Sequence, residues 1–190
     1  PHVWHIREYG DQDYGLHPDP GWPNYTARIA NSDHVITVSE ALASHLRSYA
    51  DIPDLSVIYN GVVAVDEVEA IASRCRTGMI SQTAPSFMIL GGVMPSKGQD
   101  VAVRAVMRLR EEIPDARLAI EDEQAQDAVE LWGYVDDPWS AYAEADALLM
   151  CSRAEGMGRV TAEAMLAGVP IIGRDAGGTG ELLQHGETGR

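Results

Sequence analysis

The sequence predicts an α/β protein whose strands run parallel. Short apolar runs alternate with amphipathic segments of helical spacing, and the loops between them are rich in glycine. The stretch 147–181 shows the pattern best. It holds an apolar run at 147–151, a loop with Gly156 and Gly158, an amphipathic segment closed by Gly168, a second apolar run at 169–172, and a loop with Gly173, Gly177 and Gly178. Composition agrees: 45% hydrophobic and 23% charged residues in a chain of 190 can bury a core, as one large domain or two modest ones.

In chain order, Val3–Ile6 reads as a short strand opening into Arg7, Glu8, Tyr9 and Gly10, followed by a polar, proline-rich loop over 11–23. A helix over 24–31 leads to a β-branched strand at 34–38. Ser39 caps the next helix, with Glu40 in the first turn, where negative charge is favoured. A strand at 57–59 ends in the Asn60-Gly61 turn. The next strand, 87–90, opens a second domain and leads to a loop at 91–99 whose small residues let backbone approach a phosphate that Lys97 could neutralise. A helix over 100–112 sets Val101, Ala105, Val106 and Leu109 at core spacing. Strands are then expected at 117–120 and 129–132. Only eight residues separate them, fewer than the dozen or so of a parallel crossover, so residues are expected to be missing around 121–127. Gly133-Tyr134 ends that strand and Asp136-Asp137-Pro138 starts the next helix.

In a parallel sheet the loops leaving the carboxyl ends of the strands face one crevice, which brings Glu155 and the two glycine clusters to one site. A helix starting near Arg159 carries Glu163, eight positions after Glu155, about one turn in from its N-terminus. Helix N-termini offer unpaired N–H groups and partial positive charge, which suit a phosphate or diphosphate. Carboxylates repel phosphate and suit hydroxyl groups. A nucleoside diphosphate sugar, with phosphate at its centre and hydroxyl-bearing rings on both sides, meets both demands.

Glu155-Gly156-Met157-Gly158-Arg159-Val160-Thr161-Ala162-Glu163-Ala164 resembles the E-x7-E signature of the retaining glycosyltransferases of family 4, which have the GT-B architecture. The segment 167–172 and Gly177-Gly178 resemble the family's pattern downstream of that signature. The loop 91–98 is similar to its glycine-and-lysine loop, with Val93 at the position of an Arg for which Arg174 or Arg7 could substitute. The resemblance implies two Rossmann-like parallel-sheet domains: 1–60 as the C-terminal part of an N-terminal acceptor domain, 61–86 as the connection, and 87–190 as a nucleotide-sugar-binding domain incomplete at its end. It implies that Glu155 holds sugar hydroxyls, that the amides of Gly156, Met157 and Gly158 hold the diphosphate together with Gly92 and Lys97, that Glu163 holds the ribose, and that the nucleotide base lies at Tyr134. Glu155 and Lys97 are the catalytic candidates. On the acceptor side stand Ser39, which a plain helix cap explains equally well, and Arg7, near a position where many relatives carry His.

The implied activity is transfer of a hexose-type sugar from a UDP- or GDP-sugar to a hydroxyl of a glycan, lipid-linked or small-molecule acceptor. Retention, no metal, and no cofactor beyond the donor substrate are part of that implication. Asp11-Gln12-Asp13 resembles the D-x-D metal pair of another glycosyltransferase architecture, although aspartates are common in turns for their own hydrogen bonds.

The charge narrows the partners. Acidic residues number 29 against 14 basic, a formal net charge of -15, which opposes nucleic acid and anionic bilayers as partners. Cys75 and Cys151 lie far apart, and Cys151 ends a buried strand, as expected of reduced thiols in a cytoplasmic protein. No apolar run approaches the ~20 residues of a membrane span, and no signal-like N-terminus is visible. Opening on Pro1 and stopping at Arg190, the chain is expected to be part of a longer protein. Three other readings stay open: a non-catalytic nucleotide-sugar-binding protein or fragment, a sugar-nucleotide epimerase of related architecture, and a nicotinamide-dependent dehydrogenase. The last is disfavoured because Gly178-Thr179-Gly180 comes after the last strand instead of the first.

Overall fold

A computed structural model describes residues 1–74, 81–120, 129–131 and 136–189. The chain forms two all-parallel sheets flanked by helices. In the first, β1 (Val3–Ile6), β2 (His34–Thr37) and β3 (Leu55–Val57) lie side by side, with Val3 opposite His34 and Val35 opposite Leu55. Between β1 and β2 the chain forms α1 (Asp11–Tyr14) and α2 (Trp22–Ala30), and α3 (Glu40–Arg47) comes after β2. Ile29, Leu42 and Leu46 from these helices close over Ile6, Val35 and Val38.

The second sheet has β4 (Ser86–Ile89), β5 (Arg117–Ile120), β6 (Val129–Leu131), β7 (Ala147–Met150) and β8 (Ile171–Gly173) in the order β6-β5-β4-β7-β8. Successive strand residues face opposite ways, and both faces are covered. Phe87, Ile89, Leu118, Ile120 and Leu149 meet Ala102 and Val106 of α5 (Gln99–Leu109). Met88, Leu148 and Met150 meet Ala141 and Tyr142 of α6 (Pro138–Glu144) and Ala164 of α7 (Arg159–Leu166) on the other side. The chain leaves β4 for β5 and β6 on one flank and returns for β7 and β8 on the other. Strand order therefore reverses between β4 and β7, and the crevice at their carboxyl ends is where such sheets take ligands.

Several elements differ from the sequence expectation. The loop 11–23 contains α1, and α2 starts at Trp22 with Pro23 in its first turn, where a missing N–H leaves nothing unpaired. β3 covers 55–57 instead of 57–59, although the Ile58 N–H still donates to the Thr37 carbonyl at 2.8 Å. Residues 61–86 carry a 3-10 turn (Val65–Glu67) and α4 (Val68–Arg74), which packs on α6 and α7. α8 (Gly177–Leu182) begins at the Gly177-Gly178 pair, where the glycines predict a loop. β5 and β6 pair in parallel; residues 121–128 between them, with Cys75, Gly133 and Tyr134, lie outside the described residues. Among the described residues no helix is long and apolar enough to cross a membrane.

The two lobes meet through the β7–α7 loop. Ala154 and Met157 of that loop are buried in the core of the first sheet, and the Met157 Sδ accepts the Asn60 N–H at 2.8 Å. α8 reaches back to α3: the Glu181 carboxylate accepts the N–H groups of Glu40, at 3.0 Å, and Ala41, and the Tyr59 hydroxyl at 2.6 Å. That contact pushes the Tyr59 phenol up to about 12.

Candidate functional site

A cleft of about 170 Å³ lies where β4 and β7 end. Leu90, Gly91 and Lys97 form one wall, Met150 and residues 155–160 the next, and Arg7, Glu8 and Asn60 of the first lobe face them. The β4–α5 loop closes onto β7 at Gly98, whose φ is +73; a Cβ there would stand 2.4 Å from the Cys151 carbonyl oxygen. Glycine is therefore required by both backbone sign and space, and the close approach brings Lys97 to the β7–α7 loop. Lys97 Nζ lies 2.6 Å from Glu155 Oε1, which also accepts from Ser152 Oγ at 2.7 Å. Both side chains are mostly withdrawn from solvent, at 27% and 14% exposure, so the pair stores a cation and a carboxylate side by side at the cleft.

Gly158, with φ +37, turns the chain into α7, whose first residues, Arg159 and Val160, open on the cleft. The N–H groups of Thr161 and Ala162 fold back to the Gly158 carbonyl at 2.9 and 3.3 Å. The amides ahead of them have no acceptor within the helix, and together with its dipole they favour an anion. Glu163 lies one turn later, 12% exposed, with Oε2 at 3.1 Å from the Tyr142 hydroxyl and Oε1 at 3.3 Å from Arg159. It reaches the cleft through Arg159 and is not itself part of the wall.

Of the sequence-predicted residues, Lys97, Glu155, Gly156, Met157, Gly158 and Arg7 share the cleft wall. Met157 is 6% exposed, its side chain spent on the first lobe's core. Gly92 is off the wall, where its carbonyl accepts from Gln99 Nε2 at 3.2 Å, and Gly91 takes its place. Ser39 is fully buried and off the wall as well: its Oγ accepts the Leu42 N–H at 3.1 Å, the helix-cap role. Tyr134 lies outside the described residues. Val93 and Arg174 are exposed and away from the cleft. Asp11 and Asp13 accept hydrogen bonds from within the first lobe. Asp11 Oδ2 accepts from Trp22 Nε1 at 3.1 Å, and Asp13 Oδ2 accepts the Tyr9 N–H at 2.8 Å. Among the described residues no three His, Cys, Asp or Glu side chains group as a metal site.

Two further wall residues, Arg159 and Glu8, are not among the sequence-predicted ones. Arg159 stands four positions before Glu163, a spacing that pairs opposite charges on a helix and is visible in the sequence. Glu8 carries no such signal. Its carboxyl is pushed up to about 7, first by burial and then by the carboxyl of Asp13, with Glu155 adding to the rise and Lys97 opposing it.

The profile of the family described as glycosyl transferases group 1 matches residues 84–190. Glycogen synthase of Mycobacterium tuberculosis is 28% identical over 179 residues, spanning 85% of this chain and 42% of the relative. The GDP-mannose-dependent alpha-(1-6)-phosphatidylinositol monomannoside mannosyltransferase of the same organism is 33% identical over 128 residues, 55% of this chain and 33% of the relative. Among solved structures, Anabaena HepE in complex with UDP and glucose superposes with a TM-score of 0.76 at 20% identity, covering 100% of this chain and 57% of that one. Sucrose-phosphate synthase from Thermosynechococcus elongatus gives 0.73 at 21% identity, with 98% and 53% covered. The chain thus spans about half the length of such relatives, or less. The profile match covers more than half of the chain, on a pair of parallel sheets of the GT-B type, and the chain belongs to the glycosyl transferases group 1 family.

Proposed function

We propose that the cleft binds a nucleoside diphosphate sugar and that the whole protein transfers its hexose-type sugar to a hydroxyl acceptor. The observation that carries this reading is the meeting of Lys97, Glu155 and the start of α7 where strand order reverses. A diphosphate seated against residues 156–158 meets the free amides and positive end of α7. Lys97 leaves Glu155 for the diphosphate, and Glu155, released, accepts the sugar hydroxyls. Arg159 and Arg7 supply the cationic charge that Val93 lacks, and as Arg159 turns to the diphosphate Glu163 becomes free for the ribose hydroxyls. Fixed donors aimed at the departing diphosphate stabilise the charge that develops as the sugar–oxygen bond breaks.

Retention of configuration, action without metal, and a division into an acceptor domain at 1–60, a connection at 61–86 and a donor domain at 87–190 belong to the same proposal. A UDP- or GDP-sugar is the donor we favour, supported by the UDP and glucose named with HepE and by the GDP-mannose dependence named for the mycobacterial relative. The acceptor is a glycan, a lipid-linked sugar or a small molecule.

The test is a thermal-shift screen of the full-length protein with UDP, GDP, ADP and their sugars, followed by mass spectrometry of the products. A matching nucleotide at a hundred times its Kd adds about 2.7 kcal/mol of stability. No stabilisation by any of them refutes the reading. Binding without turnover would select a non-catalytic binding protein, for which Val93 at the position of the family's usual Arg is the argument.

A further inference from the structure

Glu163 has a partner on the side away from the cleft. Its carboxylate is held at both oxygens: Oε1 lies 3.3 Å from Arg159, and Oε2 accepts the Tyr142 hydroxyl at 3.1 Å. The two partners differ in how readily they let go. Arg159 stands at the surface, 56% exposed, in an i,i+4 pair of the kind that water and salt screen. Tyr142 is fully buried on α6, in the core that Met88 and Leu148 share. α6 is itself fixed at its start, where Asp137 Oδ1 accepts the Trp139 N–H at 3.1 Å and Oδ2 pairs with Arg74 of α4. The Tyr142 hydroxyl also reaches the Val160 carbonyl at 3.2 Å, so one buried O–H serves two acceptors in the first turn of α7.

We propose, on the donor reading above, that Tyr142 is the positioning residue through which Glu163 selects a ribose. When Arg159 turns to the diphosphate, Oε1 is emptied on the side where Arg159 lines the cleft. Tyr142 keeps Oε2, and with it the rotamer of the glutamate. The freed oxygen therefore meets a ribose hydroxyl already aimed, and the ordering of a long side chain is complete before the ligand arrives. A nucleotide without ribose hydroxyls leaves that oxygen, on a side chain only 12% exposed, with no donor. Sites built to hydrogen-bond a hydroxyl reject such analogues for this reason.

The experiment measures, by calorimetry on the full-length protein, the affinities of UDP, GDP and their analogues lacking both ribose hydroxyls. The wild type prefers the better-bound ribonucleotide to its analogue by ~10-fold or more. Tyr142→Phe keeps the ring and lowers that preference about fivefold, by weakening the ribonucleotide while the analogue stays within about twofold. Glu163→Ala abolishes the preference, and adding Tyr142→Phe to it changes neither affinity further, because the hydroxyl acts through the carboxylate. Arg159→Ala, an exposed change, weakens ribonucleotide and analogue by the same factor and keeps the preference. A Tyr142→Phe protein that melts earlier yet keeps the wild-type preference overturns the inference, as does an Arg159→Ala protein that loses it. A wild type that binds UDP or GDP without preferring ribose overturns the inference and leaves the donor cleft standing. A wild type that binds none of the four overturns both.

Discussion

Gly156→Ala separates the demands of packing from those of a ligand. Gly156 lies outside the left-handed region, so alanine brings no backbone strain and the whole effect belongs to one methyl group. That methyl would stand 2.0 Å from the Arg7 carbonyl oxygen, 3.0 Å from its carbon and 3.3 Å from Val38 Cγ2. Bringing the first contact to even 3.0 Å needs 3.0 minus 2.0, or about 1 Å of movement, against backbone that cannot rotate aside. Overpacking of this kind costs about 1–3 kcal/mol. Since the obstructing atoms belong to β1's loop, relief comes by parting the lobes at the point where Met157 enters the first core. Differential scanning of the full-length protein should show a melting temperature lower by roughly 2–10 °C. Turnover should fall on the order of a hundredfold, as expected when reacting groups shift by that distance. Gly92→Ala is the control: nothing lies within 4 Å of its Cβ, and stability should stay within about 0.5 kcal/mol of wild type. A Gly156→Ala protein that melts and turns over like wild type would refute the packing argument.

The same contacts set other outcomes. Glu163→Ala should weaken nucleoside diphosphate binding by about tenfold, or ~1.4 kcal/mol, in calorimetry, whereas Glu155→Ala should mainly lower kcat; indistinguishable variants would contradict the assignment. Glu181→Gln, which weakens three hydrogen bonds between α8 and the first lobe, should cost ~1–2 kcal/mol in denaturant unfolding and return the Tyr59 phenol from about 12 toward its ordinary value in ultraviolet titration. Glu8 also carries a stability signature. Its folded value of about 7 exceeds the reference 4.5, so the folded state binds the extra proton; the stabilisation is complete below 4.5 and is lost as pH rises through 7. Subtracting the Glu8→Gln pH profile from that of wild type should isolate this downward slope, and a flat difference would refute the raised Glu8 value.

The β7–α7–β8 run is legible in the sequence because every level points the same way: an unbroken apolar strand, a glycine turn, an amphipathic helix, then another apolar strand. Lys97 and Glu155 are legible as residues, but their contact is not, since it depends on Gly98 letting two loops close over Cys151. α1 has four residues and no apolar period. It forms between two glycines of positive φ, tied down by Asp11 to Trp22 and Asp13 to Tyr9, contacts that exist only in the folded chain. The shift at Glu8 comes first from burial and then from the Asp13 carboxyl of α1, so it stays silent until the chain is folded. Ser39 shows the opposite case. Its hydroxyl, an acceptor-side candidate in the sequence, is buried and spent on capping α3.

Ala154 and Met157 are numbered with one sheet and buried with the other. Neither half is then self-sufficient: a polypeptide cut between the lobes leaves an oily plug on one fragment and an empty socket in the other. Recombination that grafts this donor half onto a new companion must deliver a socket for the same thioether, including a main-chain amide where Asn60 now stands. Compatibility between swapped halves is decided at that plug before any substrate is met.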